Sequence, residues 1–319
     1  MGGDIKRNQH IESELDLREI ITILWSEKIT IITITLIFSI CSVLYAVSLP
    51  NQYRATALLA PAQQDAGGLS GMLGQLGGLA SLAGVSIGSG KSSESMVAQK
   101  IMKSWNFIDS FIEKNKLAAE VYAAEGWRKS SNTLIFDDDI YDSTKLVWLV
   151  ASGETDDKGP PTSWQLYKKF DEHLVISEDS VTGLVTVSID FYSPELAKNW
   201  VDLYVNAINV HMQKRQVEKV ATNIEYLEDQ IKKTSIAEMR GVFYTIIEEQ
   251  IKAKMLAEAS PEYAFVTVSP SMIPQKKSGP QRAMIFTVGT LLGAMLSVLM
   301  VITRYSYRES SLRRQSSKD

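Results

Sequence analysis

The chain has little of what catalysis and metal binding most often need. It holds one cysteine and three histidines in 319 residues. Cys41 lies inside an apolar run, so no disulfide can form within the chain, and a domain outside the cytoplasm must rely on its core and on assembly. His10, His173 and His211 are far apart and show no metal-ligand spacing. No GxxxxGK[ST] loop, GxGxxG turn or serine or cysteine nucleophile motif is found, so no cofactor, metal or catalytic residue is expected. Excess positive charge is missing too. Lys and Arg number 33 against 37 Asp and Glu, and residues 50–282 hold 24 basic against 29 acidic side chains, which argues against a nucleic-acid partner.

Two long uncharged runs are present. Ile29–Leu49 is followed by Pro50, and Ala283–Thr303 is bounded by Arg282 and Arg304. About 20 apolar residues are what a helix needs to cross a bilayer core, so both runs read as transmembrane helices. The first is long for a signal peptide, starts late and lacks a small-x-small cleavage site, so it reads as a retained anchor. Lys6, Arg7, Arg18 and Lys28 precede it, and Arg304, Arg308, Arg313, Arg314 and Lys318 follow the second. The positive-inside rule then puts the leader 1–28 and the tail 304–319 in the cytoplasm, with 50–282 outside.

In the leader, Leu17, Ile20, Ile21 and Leu24 repeat at helical spacing, which suits a short interfacial helix or a cytoplasmic extension of the first span. Gln52–Leu59 reads as a strand leaving the membrane. Residues 66–90 hold nine glycines among small apolar residues, too many for a stable isolated helix, and read as a loop or a conditional apolar contact. Apolar residues from Met96 to Ile112 predict one amphipathic helix over Glu94–Lys116, and a less regular stretch follows. The acidic clusters Asp137–Asp139 and Glu154–Asp157 match no calcium loop and read as solvated turns. His173–Ser177 and Leu184–Phe191 predict an antiparallel hairpin.

Ser193-Pro194-Glu195 then starts a helix well: serine as cap, proline at the first position, acid in the first turn. Leu196, Trp200, Leu203, Ala207, Val217, Val220, Ile224, Leu227 and Ile231 form a narrow stripe suited to one coiled-coil-like seam. The pattern predicts a helix over 195–259, roughly 100 Å if unbroken, with Gly241 as the place for a kink. Tyr263–Val268 alternates like a strand that pairs with the first one. Pro270, Pro274 and Pro280 make the approach to the second span extended and stiff. Within that span Gly289, Gly293 and Ser297 repeat every four residues, a face that lets another helix approach closely.

The chain resembles the Wzz-type chain-length determinants, the kinase-free class of polysaccharide co-polymerases. The residues that carry the resemblance are Asp16–Trp25, Gly183–Ala197 ending in Ser193-Pro194-Glu195-Leu196-Ala197, and Tyr244–Arg282 with its three prolines. Gln281-Arg282 stands where two basic residues are usual. The resemblance implies an α+β protein with two transmembrane helices flanking a large periplasmic domain, which has a membrane-proximal α/β base and a long extended helix. It also implies a ring-like homo-oligomer in the bacterial inner membrane, with no catalytic residues to carry over. Its partners would be a Wzy-type polymerase and a glycan or lipid-linked glycan, and its role to set the length distribution of lipopolysaccharide O-antigen or a related polymer. An inner-membrane component of capsule or exopolysaccharide export is the alternative.

Overall fold

The computed structural model describes residues 24–62, 90–149 and 159–316. The leader stripe up to Ile21, the glycine-rich stretch before Gly90, His10 and the Glu154–Asp157 cluster lie outside them. The chain forms two units, Met1–Leu49 with Gly279–Asp319, and Pro50–Ser278.

The first unit is a pair of helices, α1 (Lys28–Ser48) and a final helix, Arg282–Ser316. Lys28–Ser48 and Arg282–Arg304 are long and apolar enough to cross a membrane. Their outward side chains, among them Leu36, Ile40 and Leu44 on one and Leu291, Met295 and Leu299 on the other, are exposed. Such a surface suits lipid rather than water.

The second unit is built on a four-stranded antiparallel sheet. It starts with β1 (Tyr53–Pro61), whose Ala55, Ala57 and Leu59 are buried at every second position. Helices α2 (Gly90–Met102) and α3 (Trp105–Asn115) replace the single expected helix over 94–116. Ser104 causes the break. Its hydroxyl donates to the Ile101 carbonyl at 2.7 Å and accepts from the Phe107 amide, so a side chain takes over the hydrogen bonding that a continuous helix would need.

The stretch that looked irregular contains α4 (Ala118–Ala123), the β2–β3 hairpin (Ala124–Arg128, Thr133–Phe136) and the short strands β4 (Tyr141–Asp142) and β5 (Val147–Trp148). It also contains α5 (Ser163–His173), which opens with a capping box. The Thr162 amide donates to Gln165 Oε1 at 2.8 Å, and the Gln165 amide returns a bond to Thr162 Oγ1.

The expected hairpin forms as β6 (Leu174–Glu178) and β7 (Val185–Phe191). Gly183 closes its turn at φ 69°, a conformation glycine adopts without a Cβ penalty. Ser193 caps α6 (Pro194–Lys233), a 40-residue helix of roughly 60 Å. Its buried side, Ala197, Trp200, Val201, Tyr204, Ile208 and Met212, lies on the sheet with Phe107, Phe111 and Phe170. The Phe191 and Trp200 rings stand 4.2 Å apart between centroids, and Phe111 meets Tyr204 edge-on at 4.9 Å.

The predicted helix over 195–259 is not continuous. The chain leaves helical geometry at Thr234–Ile236 and returns as α7 (Ala237–Ala259). Gly241 lies inside α7, and the break falls before it, at 234–236. Gln213 Nε2 donates to the carbonyls of Ala257 at 2.9 Å and Ser260 at 3.2 Å, so α7 doubles back along α6 as an antiparallel hairpin. Doubling back buries part of the apolar seam within the chain, whereas a 100 Å rod would have left all of it to solvent or to neighbours.

Finally β8 (Phe265–Ser269) pairs antiparallel with β1, giving the order β6-β7-β1-β8. The last helix, Arg282–Ser316, is α8. The architecture is therefore mixed α and β, with two candidate membrane helices and a long central helix.

Candidate functional site

The expected interaction face of the second span is packed against the first. At Gly293 an added Cβ would lie 2.5 Å from Cβ of Phe38, and at Gly289 it would overlap the Ser42 side chain. Ser297, fully buried, donates from its hydroxyl to the Ala294 carbonyl at 2.7 Å and lies 3.5 Å from Thr35 Oγ1. Ser42 donates to the Ile285 carbonyl at 2.9 Å. Gly289, Gly293 and Ser297 thus meet Ser42, Phe38 and Thr35 in an antiparallel zip. In a bilayer, close backbone approach and hydroxyl bonding supply the attraction that hydrophobicity cannot. The partners on α1 were missed in the sequence, although Thr35, Phe38 and Ser42 also recur at helical spacing.

Pro270 and Pro274 lie in a strap fastened at both ends. Ser271, buried, places its hydroxyl 2.5 Å from Asp202 Oδ1 and 3.2 Å from the Lys198 carbonyl, while Lys198 and Asp202 form an ion pair at 2.6 Å. At the other end the Ser278 amide donates to the Gln52 carbonyl at 2.8 Å, and its hydroxyl to Asp190 Oδ1 at 2.8 Å. Asp190 also takes the Arg54 guanidinium in a two-pronged ion pair from the neighbouring strand. Proline rigidity predicted an extended segment. The serines that hold it carried no sequence signal beyond their place beside prolines. Pro280 belongs to the helix-pair unit, just before α8.

The described titratable groups of the second unit serve mostly structural contacts. Burial lowers the pKa of His173 and, less deeply seated, of His211, which favours neutral imidazoles. Among the described residues no group of three or more His, Cys, Asp or Glu could hold a metal ion. Asp137 accepts the amide of Asp139, and Asp142 those of Thr144 and Lys145, so these carboxylates shape turns.

Glu120 is the exception, a half-buried carboxylate whose pKa is raised by burial and lowered in smaller part by a hydrogen bond from Trp200. Its Oε2 has no hydrogen-bond partner. A raised acid pKa in the fold means the contribution is present below the unfolded value and is lost as pH rises through the folded one. Glu120→Gln is therefore expected to match the wild type in acid and to be more stable at neutral pH. Thermal unfolding across pH measures this, and an unchanged pH slope would remove Glu120 as its cause.

Two apolar helices bracketing a sheet-based domain with a helical hairpin define a membrane-anchored protein with a large domain outside the bilayer. Within that class, residues 13–115 match the family model of Wzz, described as chain length determinant protein, and the chain is Wzz-like over that third. Among solved structures it is similar to a full-length bacterial polysaccharide co-polymerase, at 14% identity over 92% of this chain and 98% of that one, with a TM-score of 0.36. It is also similar to a fragment of WzzB, a polysaccharide co-polymerase from Salmonella Typhimurium, at 14% identity, covering 72% of this chain and 100% of the fragment, with a TM-score of 0.29. No curated protein sequence matches.

Proposed function

We propose that this chain is a non-enzymatic polysaccharide co-polymerase that sets the chain-length distribution of lipopolysaccharide O-antigen or a related Wzy-dependent glycan. The observation that carries the reading is the chain-length-determinant match over residues 13–115, which runs from the leader through the first candidate span into the sheet domain. In this reading the protein lies in the bacterial inner membrane with both termini in the cytoplasm and residues 50–282 in the periplasm. Copies assemble into a ring, and the growing lipid-linked glycan and its polymerase work beside it. The exposed Met239, Val242, Tyr244, Met255 and Leu256 on α7 support assembly, because large apolar side chains in this number are costly to leave in water.

The deciding experiment is the glycan ladder of a deletion strain on a silver-stained gel. Loss of the modal band cluster, with polymer still made and weighted towards short chains, is expected. Complete absence of polymer would instead point to an export component or an enzyme.

Topology is tested separately. In a Cys41→Ser background, Ser92→Cys should react with an impermeant thiol reagent applied from outside and Ser316→Cys should not. The reverse pattern would overturn the membrane arrangement.

A further inference from the structure

We infer that the strap between Ser271 and Ser278 is a membrane-interface contact, seating Met272 and Ile273 among lipid headgroups and Lys276 and Lys277 on anionic phospholipid. The inference rests on the two-span topology of the proposed function and not on chain-length control.

Met272 is 76% and Ile273 52% exposed, in a segment otherwise held rigidly. Two neighbouring large apolar side chains kept out of the core need a cover. Lys276 and Lys277 are exposed as well, and neither has an ion-pair partner among the described residues. Apolar residues beside unpaired cations make the combination that holds a segment at a lipid surface.

Chain length ties the Ser278 end of the strap to the spans, with Met272 and Ile273 ten and nine residues before Arg282. Ser278 stands four residues before Arg282, where α8 begins, and its partner Gln52 four residues after Ser48, where α1 ends. At ~3.5 Å per residue neither is more than about 14 Å of chain from a span. The sheet gives the direction. Ser269 pairs with Leu58, so the strap runs back along β1 from that level to Gln52, the end of the strand that follows α1 in the chain. A second copy of the chain, whose own domain is net acidic, is the competing cover, and the spin–spin readout below separates it from lipid.

The latches matter because order is lost cheaply in a flexible loop. With Ser271 on Asp202 and Ser278 on Asp190, the apolar pair is presented in a fixed position, so docking costs little further entropy.

The test uses the full chain with Cys41→Ser, carrying a nitroxide on Met272→Cys or Ile273→Cys, in vesicles of phosphatidylethanolamine and phosphatidylglycerol. Collisions with oxygen and with a water-soluble nickel chelate are compared with those at Val181→Cys, in the 93% exposed tip of the β6–β7 turn. The ratio of oxygen to nickel collisions at 272 and 273 should exceed that at 181 by roughly fivefold or more, as for groups entering the interface. Lys276→Gln with Lys277→Gln should lower the ratio in these vesicles and leave it unchanged in phosphatidylcholine alone. Ratios at 272 and 273 equal to that at 181 would overturn the inference. So would spin–spin broadening at 272 that survives in detergent, since it would put a second copy on the strap. A normal glycan ladder in the double lysine variant leaves the inference intact, because the readout is lipid contact, and the deletion ladder judges the function by itself.

Discussion

Gly293→Leu is expected to prise the two membrane helices apart and to erase the modal cluster of the glycan ladder, while protein level and the cross-linked oligomer stay near normal. A Cβ at 293 already lies 2.5 Å from Cβ of Phe38, a position fixed to the α1 backbone, so no side-chain rotation relieves the overlap. Forcing extra methylenes into such a contact costs roughly 1–3 kcal/mol. Leucine keeps the segment apolar, so insertion itself should survive. The local effect is read by a disulfide between Thr35→Cys and Ser297→Cys in a Cys41→Ser background, whose wild-type partners stand 3.5 Å apart. Its yield should fall by roughly an order of magnitude, consistent with a loss of that size. Phe38→Gly added to Gly293→Leu should restore both the disulfide and the ladder, since it removes the Cβ and the ring that collide. An unchanged ladder at normal protein level, with the disulfide lost, would take the seam out of length control and leave it as packing alone.

The second large effect belongs to Asn209. Its side chain, 3% exposed, reaches from α6 to the start of β8, where Nδ2 donates to the Phe265 carbonyl at 3.0 Å and Oδ1 accepts the amides of Ala264 at 2.9 Å and Phe265 at 2.8 Å. Among the described residues β8 is the edge strand of the sheet, with no further strand to take these groups. Asn209→Leu keeps the volume roughly and strands three buried backbone groups at once. Each unsatisfied buried group costs ~1–3 kcal/mol, so a loss of about 3 kcal/mol or more is expected. Denaturant unfolding of the full chain measures it, and cleavage by a protease near Ser260–Tyr263 should rise in parallel because β8 is the element released. A loss below about 1 kcal/mol would mean that water replaces the amide and that Asn209 is not the clamp.

Several elements were legible because their signals are local. An uncharged run of spanning length, period-two alternation in β6 and β7, and a serine-proline-glutamate start to α6 all stand within a few residues of what they specify. Even the pairing of β1 with β8 followed from two alternating runs near the membrane. The break between α2 and α3 could have been read from Ser104 as a cap, and α5 from Thr162 and Gln165 as a capping box after two prolines. Continuous apolar spacing from Met96 to Ile112 hides the first of these signals.

Other features were decided only in the tertiary structure. Intrinsic propensity favours helix on either side of Thr234–Ile236, and a stripe of apolar residues looks the same on a straight rod as on a folded hairpin. What chooses the hairpin is the burial gained when α7 returns along α6, together with Gln213 reaching carbonyls 44 and 47 residues away. The seam divides in the same way. The sequence by itself determined that Gly289, Gly293 and Ser297 share a face, because helical periodicity requires it. Which residues fill that face, Ser42, Phe38 and Thr35, depends on the register of one helix against another about 250 residues distant, and only close packing sets a register. The strap follows the same rule. Proline stiffened it locally, but Ser271 and Ser278 became latches only when folding brought Asp202 and Asp190 to them across 69 and 88 residues of chain.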